Sequence, residues 1–327
     1  MTAVVVTVII LAVVSTWWIY LSPVERVSTL GKIKLITIYG ALAGAVYALL
    51  ALGFTLIYGV ANVVNMAHGS FFMLGAYMFI AFGPLGLSQL DVIPALILAT
   101  IFVGIVSSVV YVLTIHPIVE DELAVLVATI GVALILEQLI VIGFSRAFGG
   151  TYLAVPSFLS GYVTFLGMKV VMARILVAVI SLVLFAAVLI FVTKSKIGRA
   201  MRAVAQDREV AMLMGINTTK LYMLTMAISA SLAATAGIFI ASAISGTANP
   251  AMWLRPLVLS FAIVILGGLG SIKGTFIGAF IVGYAENAVI IVIPEGSFLG
   301  GAAALVIMVL VLLLRPRGIF GKRIELE

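Results

Sequence analysis

Long uninterrupted apolar runs, separated by short polar stretches, dominate the chain. They cover about 2–21, 35–58, 66–82, 93–115, 123–144, 170–193, 221–245, 256–272, 274–293 and 299–314. A run of about 18 or more apolar residues is long enough for a helix to cross a bilayer. Strands of a membrane barrel would alternate apolar with polar positions, and these runs do not. The pattern predicts an all-α polytopic membrane protein, a helical bundle of about eight to ten transmembrane segments. The run through 59–82 is the weakest, because it carries Asn62, Asn65, His68, Gly69 and Ser70. Irregular backbone is tolerated at membrane depth where protein or a water-filled cavity covers it. This stretch is therefore expected to be re-entrant or broken.

The first run has no basic residue before it and ends in Trp17, Trp18 and Tyr20, side chains suited to a membrane–water interface. Residues 1–22 are read as a retained N-terminal span rather than a cleaved signal, which would need a basic start and a shorter core.

Composition agrees with the pattern. Of 327 residues, 64% are hydrophobic and 9% charged, against about 25% charged in a soluble domain. An ordinary soluble enzyme, a disordered chain and a nucleic-acid-binding domain are excluded. The chain has no cysteine and two histidines, His68 and His116, so neither thiol chemistry nor a histidine-built metal centre is expected.

Charge sets the expected orientation. Residues 194–220 hold six Lys/Arg and two acids, and the tail 315–327 holds Arg315, Arg317, Lys322 and Arg323. Short basic loops face the cytoplasm, so both are expected inside, and the four runs between them fit. Arg26, Lys32 and Lys34 would put the first loop inside as well, yet five runs separate that loop from 194–220. Either one of the five does not cross fully, with 59–82 the candidate, or the first loop breaks the charge rule. Glycine-dense stretches at 59–77 and 267–287 form a faint internal echo of the kind seen in the two halves of transporters.

No sequence feature offers covalent chemistry. Neither Gly31-Lys32 nor Gly321-Lys322 stands in a Walker A motif, and Gly267-Gly268-Leu269-Gly270 lacks the spacing of a dinucleotide loop. The chain is not expected to be an enzyme, and any ATP must be bound elsewhere. The segment 198–217 is the most informative. Ala200, Met201, Ala203 and Val204 alternate at helical spacing with Arg199, Arg202, Gln206 and Asp207, Gly215 supplies a stop, and Asn217 can cap the next span. Such a helix either lies on anionic lipid or docks in a groove of a partner.

The segment resembles the cytoplasmic coupling loop of permease subunits of branched-chain amino acid ABC importers. Ala48 to Gly53, Tyr58-Gly59 and Asn65-Met66-Ala67-His68-Gly69 are similar to that family's N-terminal pattern. Gly267 to Ser271 with Gly274 and Gly278 is similar to its later glycine-rich stretch, and Pro316 with Gly318 to its ending. The similarity covers 35–320, read as one ABC permease transmembrane domain that includes the coupling loop 194–220. Ser70 and the acidic run Glu120-Asp121-Glu122 depart from the family pattern, and the latter leaves the sidedness of the 116–122 loop open.

The resemblance implies an inner-membrane permease with a cytoplasmic C-terminus, in an ATP-driven importer for branched-chain amino acids. Its partners would be two cytoplasmic ATPase subunits, a second related permease subunit and an extracytoplasmic substrate-binding protein, and the chain itself would need no cofactor. Gly198, Arg199, Arg202, Ala203, Gln206, Asp207 and Gly215 would form the ATPase contact. Permeases of the same class for urea or short amides, a gradient-driven secondary transporter and a passive channel remain alternatives.

Polar residues within or beside apolar runs are the candidates for the pathway: Asn62, Asn65, His68, Glu137, Glu286 and Asn287. A charge near the bilayer centre costs at least about 2.5–3.5 kcal/mol, so such groups face the bundle interior or water. Glu137 and Glu286 either line the pathway or bond to Gln138 or Asn287 across a helix contact. His68 beside Asn65 is a packing residue or a ligand contact. Asn249-Pro250 is a turn or a gate. Gly40/Gly44 and Gly274/Gly278 are expected to be close-packing faces.

Overall fold

The computed structural model describes residues 29–293, 296, 299–314 and 318–320. The expected first span, Arg26, Arg315, Pro316, Arg317, Lys322 and Arg323 lie outside the described residues. The described chain is mostly helical. Its helices are α1 (Thr29–Ala61), α2 (His68–Phe82), α3 (Val92–Val110), α4 (Glu122–Phe148), α5 (Met172–Lys194), α6 (Lys196–Gln206), α7 (Arg208–Leu213), α8 (Thr218–Ile240), α9 (Leu254–Gly267), α10 (Ile272–Val292) and α11 (Gly300–Leu314). Among the described residues, seven helical segments are long and apolar enough to cross a membrane, and α2 is a shorter apolar helix.

Helix α1 is the axle of the fold. At 33 residues it is about 50 Å long, well beyond the ~30 Å hydrocarbon core. Every residue from Ala43 to Ile57 is buried. A helix that is apolar all round belongs in the interior, and α5, α8, α9 and α10 surround this one. Its pairing with α10 is antiparallel: Gly40 and Gly44 meet Tyr284 and Phe280, Thr55 bonds Thr275 at 2.6 Å, and Gly59 meets Gly270. Gly283 packs in turn against Gly44, so small residues from both helices allow the close approach. The expected packing role of the glycine pairs holds here, and Gly274 and Gly278 play the same part against α9.

The weak run at 59–82 is broken as expected. Helix α1 ends at Ala61, Asn62 takes a left-handed φ of 55°, and α2 starts only at His68. The His68 ring lies beside Gly53 and Ser229, well inside the bundle. From that depth α2 runs to the end of the molecule opposite α6, where Tyr77 donates to the Thr151 carbonyl at 2.5 Å.

A second interruption was not read from sequence. Helix α8 ends in a π-helical turn at Ala241–Ser245, the chain folds back through a 3-10 turn at Pro250–Trp253, and α9 starts within the bundle. The Trp253 carbonyl lies against Gly69 on the first turn of α2. The two half-helices therefore meet at their N-termini and run to opposite ends. The expected echo at 267–287 needs correction: α10 is continuous from Ile272 to Val292 after a tight turn. The counterpart of the 59–82 break is at 246–254.

The end opposite α6 carries two pairs of short strands. β1 (Leu153–Ala154) pairs with β4 (Thr247–Ala248), and β2 (Tyr162–Phe165) forms a hairpin with β3 (Met168–Val171). Lys34 donates to the carbonyl of Leu166 at the hairpin tip. Of the two alternatives it is therefore the first loop that breaks the charge rule, since it lies at the end opposite 194–220. Five crossings separate them, and the basic residues of 194–220 outnumber Lys32 and Lys34. The 116–122 loop, whose side the sequence left open, sits at the α6 end, where Glu120 pairs with Arg208 at 3.7 Å and His116 bonds Thr219 at 3.2 Å. Residues 318–320 also return to that end, with Ile319 and Phe320 donating to Leu266 and Gly267.

Candidate functional site

Residues 194–220 form two helices rather than one. Ser195 caps α6 by accepting from the Gly198 amide at 2.9 Å, and Asp207 ends it. An extended Asp207 then caps α7 through the Val210 amide at 2.9 Å. Gly215, at a φ of 83°, closes α7 instead of the longer helix expected. Asn217 caps α8 through the Lys220 amide, as the sequence suggested.

Helix α6 is amphipathic. Gly198, Met201 and Val204 are buried, Ala203 is half-buried, and Arg199, Arg202, Gln206 and Asp207 are exposed. Arg202 also donates to the Val192 carbonyl, which ties α6 to the last turn of α5. Beyond the expected residues, α7 presents a bare apolar surface, with Leu213 86% and Met214 78% exposed beside Val210. Apolar groups this exposed beside Arg208 and Glu209 can meet either a partner or the lipid surface. Apolarity at helical spacing was visible in the sequence there, but the break at Asp207 that turns it outward was not.

Two cavities flank the middle of α1. The inner one, about 960 Å³, lies at the α6 end between Tyr58, Asn62, Arg202, Gln206, Tyr222 and Lys273. The outer one, about 260 Å³, lies between Tyr47, Arg174, Arg255, Glu286 and Asn287 and a wall of aliphatic side chains. On α1 the two are separated only by the stretch from Leu50 to Thr55, about 8 Å. Phe276 packs at 5.0 Å from both Phe185 and Phe280. That cluster bridges α5 and α10, whose residues contribute to both cavities.

The expected pathway residues divide among different roles. Asn62 lines the inner cavity. Glu286 and Asn287 line the outer one. Asn65 and His68 are packing groups: Asn65 accepts from the Ala67 amide, while the His68 ring bonds the Leu50 carbonyl at 3.0 Å and meets Phe54 edge-on at 5.5 Å. Glu137 lines neither cavity and accepts from the Trp253 indole at 2.8 Å, which pins the turn before α9 to α4. Neither carboxylate takes the partner that was expected. Glu286 is buried and held by Tyr47 at 2.5 Å and by Arg255, while Asn287 bonds back to Gly283. Arg255 and Arg174 were not among the sequence candidates.

The comparisons fit this architecture. Residues 36–318 match the family described as the branched-chain amino acid transport system permease component. The high-affinity branched-chain amino acid transport system permease protein BraD of Pseudomonas aeruginosa is 30% identical over 86% of this chain and 94% of its own. LivH of Escherichia coli, described in the same words, is 32% identical over the same shares. A probable branched-chain amino acid transport permease protein LivH of Methanocaldococcus jannaschii is 31% identical over 84% of this chain and 88% of its own. These relatives are transport permeases, not enzymes. The chain belongs to the branched-chain amino acid transport system permease family.

Proposed function

We infer that this chain is an inner-membrane permease subunit of an ATP-driven importer for branched-chain amino acids. In this reading two cytoplasmic ATPases dock on the coupling loops of the two permease subunits, one of them on the α6–α7 segment of this chain. A second related permease completes the membrane unit, and an extracytoplasmic binding protein delivers the substrate. The α6 end and the C-terminus then face the cytoplasm, and the β2–β3 hairpin faces outward.

The observation that carries the reading is that Arg202 and Gln206 of α6 belong both to the exposed docking segment and to the wall of the inner cavity. A partner that grips α6 and α7 differently with and without ATP would move a wall of the pathway. A ligand shifts a two-state equilibrium only through such differential contact. The intervening α1 stretch and the Phe185–Phe276–Phe280 cluster are the barrier that alternates.

The test is co-purification of the permease complex from membranes, comparing the wild type with Arg202→Glu/Ala203→Asp and with Leu213→Asp. Leu213 is so exposed that its replacement cannot disturb the core. ATPase protein and ATP hydrolysis accompanying the wild type but lost from both variants support the reading. A wild type that brings down no ATPase under conditions preserving the membrane complex rejects it.

A further inference from the structure

The outer cavity has the chemistry of a ligand site. Its lining includes two guanidinium groups, Arg174 and Arg255, one carboxylate, Glu286, and the Tyr47 side chain, whose hydroxyl bonds Glu286. Glu286 is 1% exposed, whereas the Arg255 side chain is 53% exposed and can leave the pair for water. Arg174 uses its Nε on the Ala243 carbonyl at 3.2 Å and stacks over Tyr39 at 5.1 Å. Its two terminal nitrogens have no protein partner among the described residues. Much of the remaining wall is aliphatic: Leu42, Ala43, Val46, Leu50, Val177 and Ile240. With one net positive charge, the cavity has a surplus guanidinium for a carboxylate and a buried carboxylate for an ammonium.

We propose that this cavity is a substrate site within the permease itself, taking one zwitterionic aliphatic amino acid. The proposal rests on the importer reading above and assigns it a place of recognition. The substrate carboxylate takes the free nitrogens of Arg174, and its ammonium replaces Arg255 on Glu286. The released Arg255 turns to the same carboxylate. With substrate bound every charge has a counter-charge, including the Arg174 guanidinium, which has none among the described residues in the empty cavity. The side chain lies against the aliphatic wall, so a small polar molecule such as urea, with neither charge nor apolar tail, gains nothing there. The Arg255–Glu286 pair is thus the empty-site arrangement.

Binding of radiolabelled leucine to the purified permease–ATPase complex, without binding protein, tests the site. Saturable binding is expected, displaced by isoleucine but not by leucinamide, which lacks the carboxylate, or by urea. Arg174→Gln should weaken it about tenfold, the loss of one charge-assisted contact, and Arg174→Lys by less. Ala43→Leu takes space from the aliphatic wall and should lower the leucine-to-alanine affinity ratio. Because that ratio is read within one preparation, a loss of folded protein does not affect it. A complex that takes up leucine when binding protein is added, yet shows no saturable leucine binding alone, overturns the site and leaves the importer reading standing. Unchanged leucine affinity in Arg174→Gln, or an unchanged ratio in Ala43→Leu, also overturns it. A complex that moves no branched-chain amino acid even with binding protein rejects the importer reading instead.

Discussion

Gly69, in the first turn of one half-helix, lies directly against the carbonyl of Trp253, one residue before the other half-helix begins. There is no room between them for a Cβ, which would also fall 2.8 Å from the Cβ of Leu257. The two interruptions of the membrane helices therefore support each other. The indole of Trp253 bonds Glu137, which extends the junction to α4.

Gly69→Val should destabilise the folded permease by about 1–3 kcal/mol through overpacking. Gly131→Ala, at a glycine with nothing within 4 Å, should be close to neutral. Thermal denaturation of the two variants in detergent checks the contrast.

The Glu286 pairing predicts a non-additive pair of substitutions. Arg255→Gln leaves a buried carboxylate with only the Tyr47 hydroxyl and should cost about 2 kcal/mol, discounted because Arg255 is half in water. Glu286→Gln removes the buried charge and should cost no more than that. The double variant should be more stable than the sum of the two losses, which a double-mutant cycle of unfolding midpoints measures.

Asp207 separates the two short helices α6 and α7 and caps the second. Asp207→Ala should cost α7 about 1 kcal/mol of cap stability and raise proteolysis at 206–210, whereas Asp207→Asn, which can still cap, should restore resistance. Limited proteolysis of the complex separates the two.

Because the chain has no cysteine, single cysteines report sidedness cleanly. Cysteine at Lys34 or Tyr152 should react with an impermeant thiol reagent from outside the cell, and cysteine at Leu213 only from inside. Equal access of Lys34 and Leu213 from one side would contradict the odd number of crossings between them.

Much of this fold was legible because its largest signals are one-dimensional. A membrane span is a continuous apolar run, and the Asn217 cap and the broken 59–82 run are local features. The packing of Gly40 and Gly44 against α10 follows from small residues at helical spacing. What escaped is three-dimensional. Arg255 and Glu286 are 31 positions apart, and nothing in either neighbourhood encodes the pairing. The break before α9 lies in a stretch where Asn249-Pro250 reads equally as an ordinary loop. The single helix expected over 198–215 divides at Asp207 because a side chain that can end a helix can also start the next. The side of the first loop stayed open because its three basic residues conflict with the number of runs, and orientation is set by the whole chain.

Leucine uptake into proteoliposomes holding the complete complex, with binding protein added on the outer side, tests the central claim most directly. Uptake that requires ATP in the lumen, persists when the proton and sodium gradients are collapsed, and is lost in Leu213→Asp is the predicted result. Uptake that runs without ATP and follows an imposed ion gradient would contradict the account.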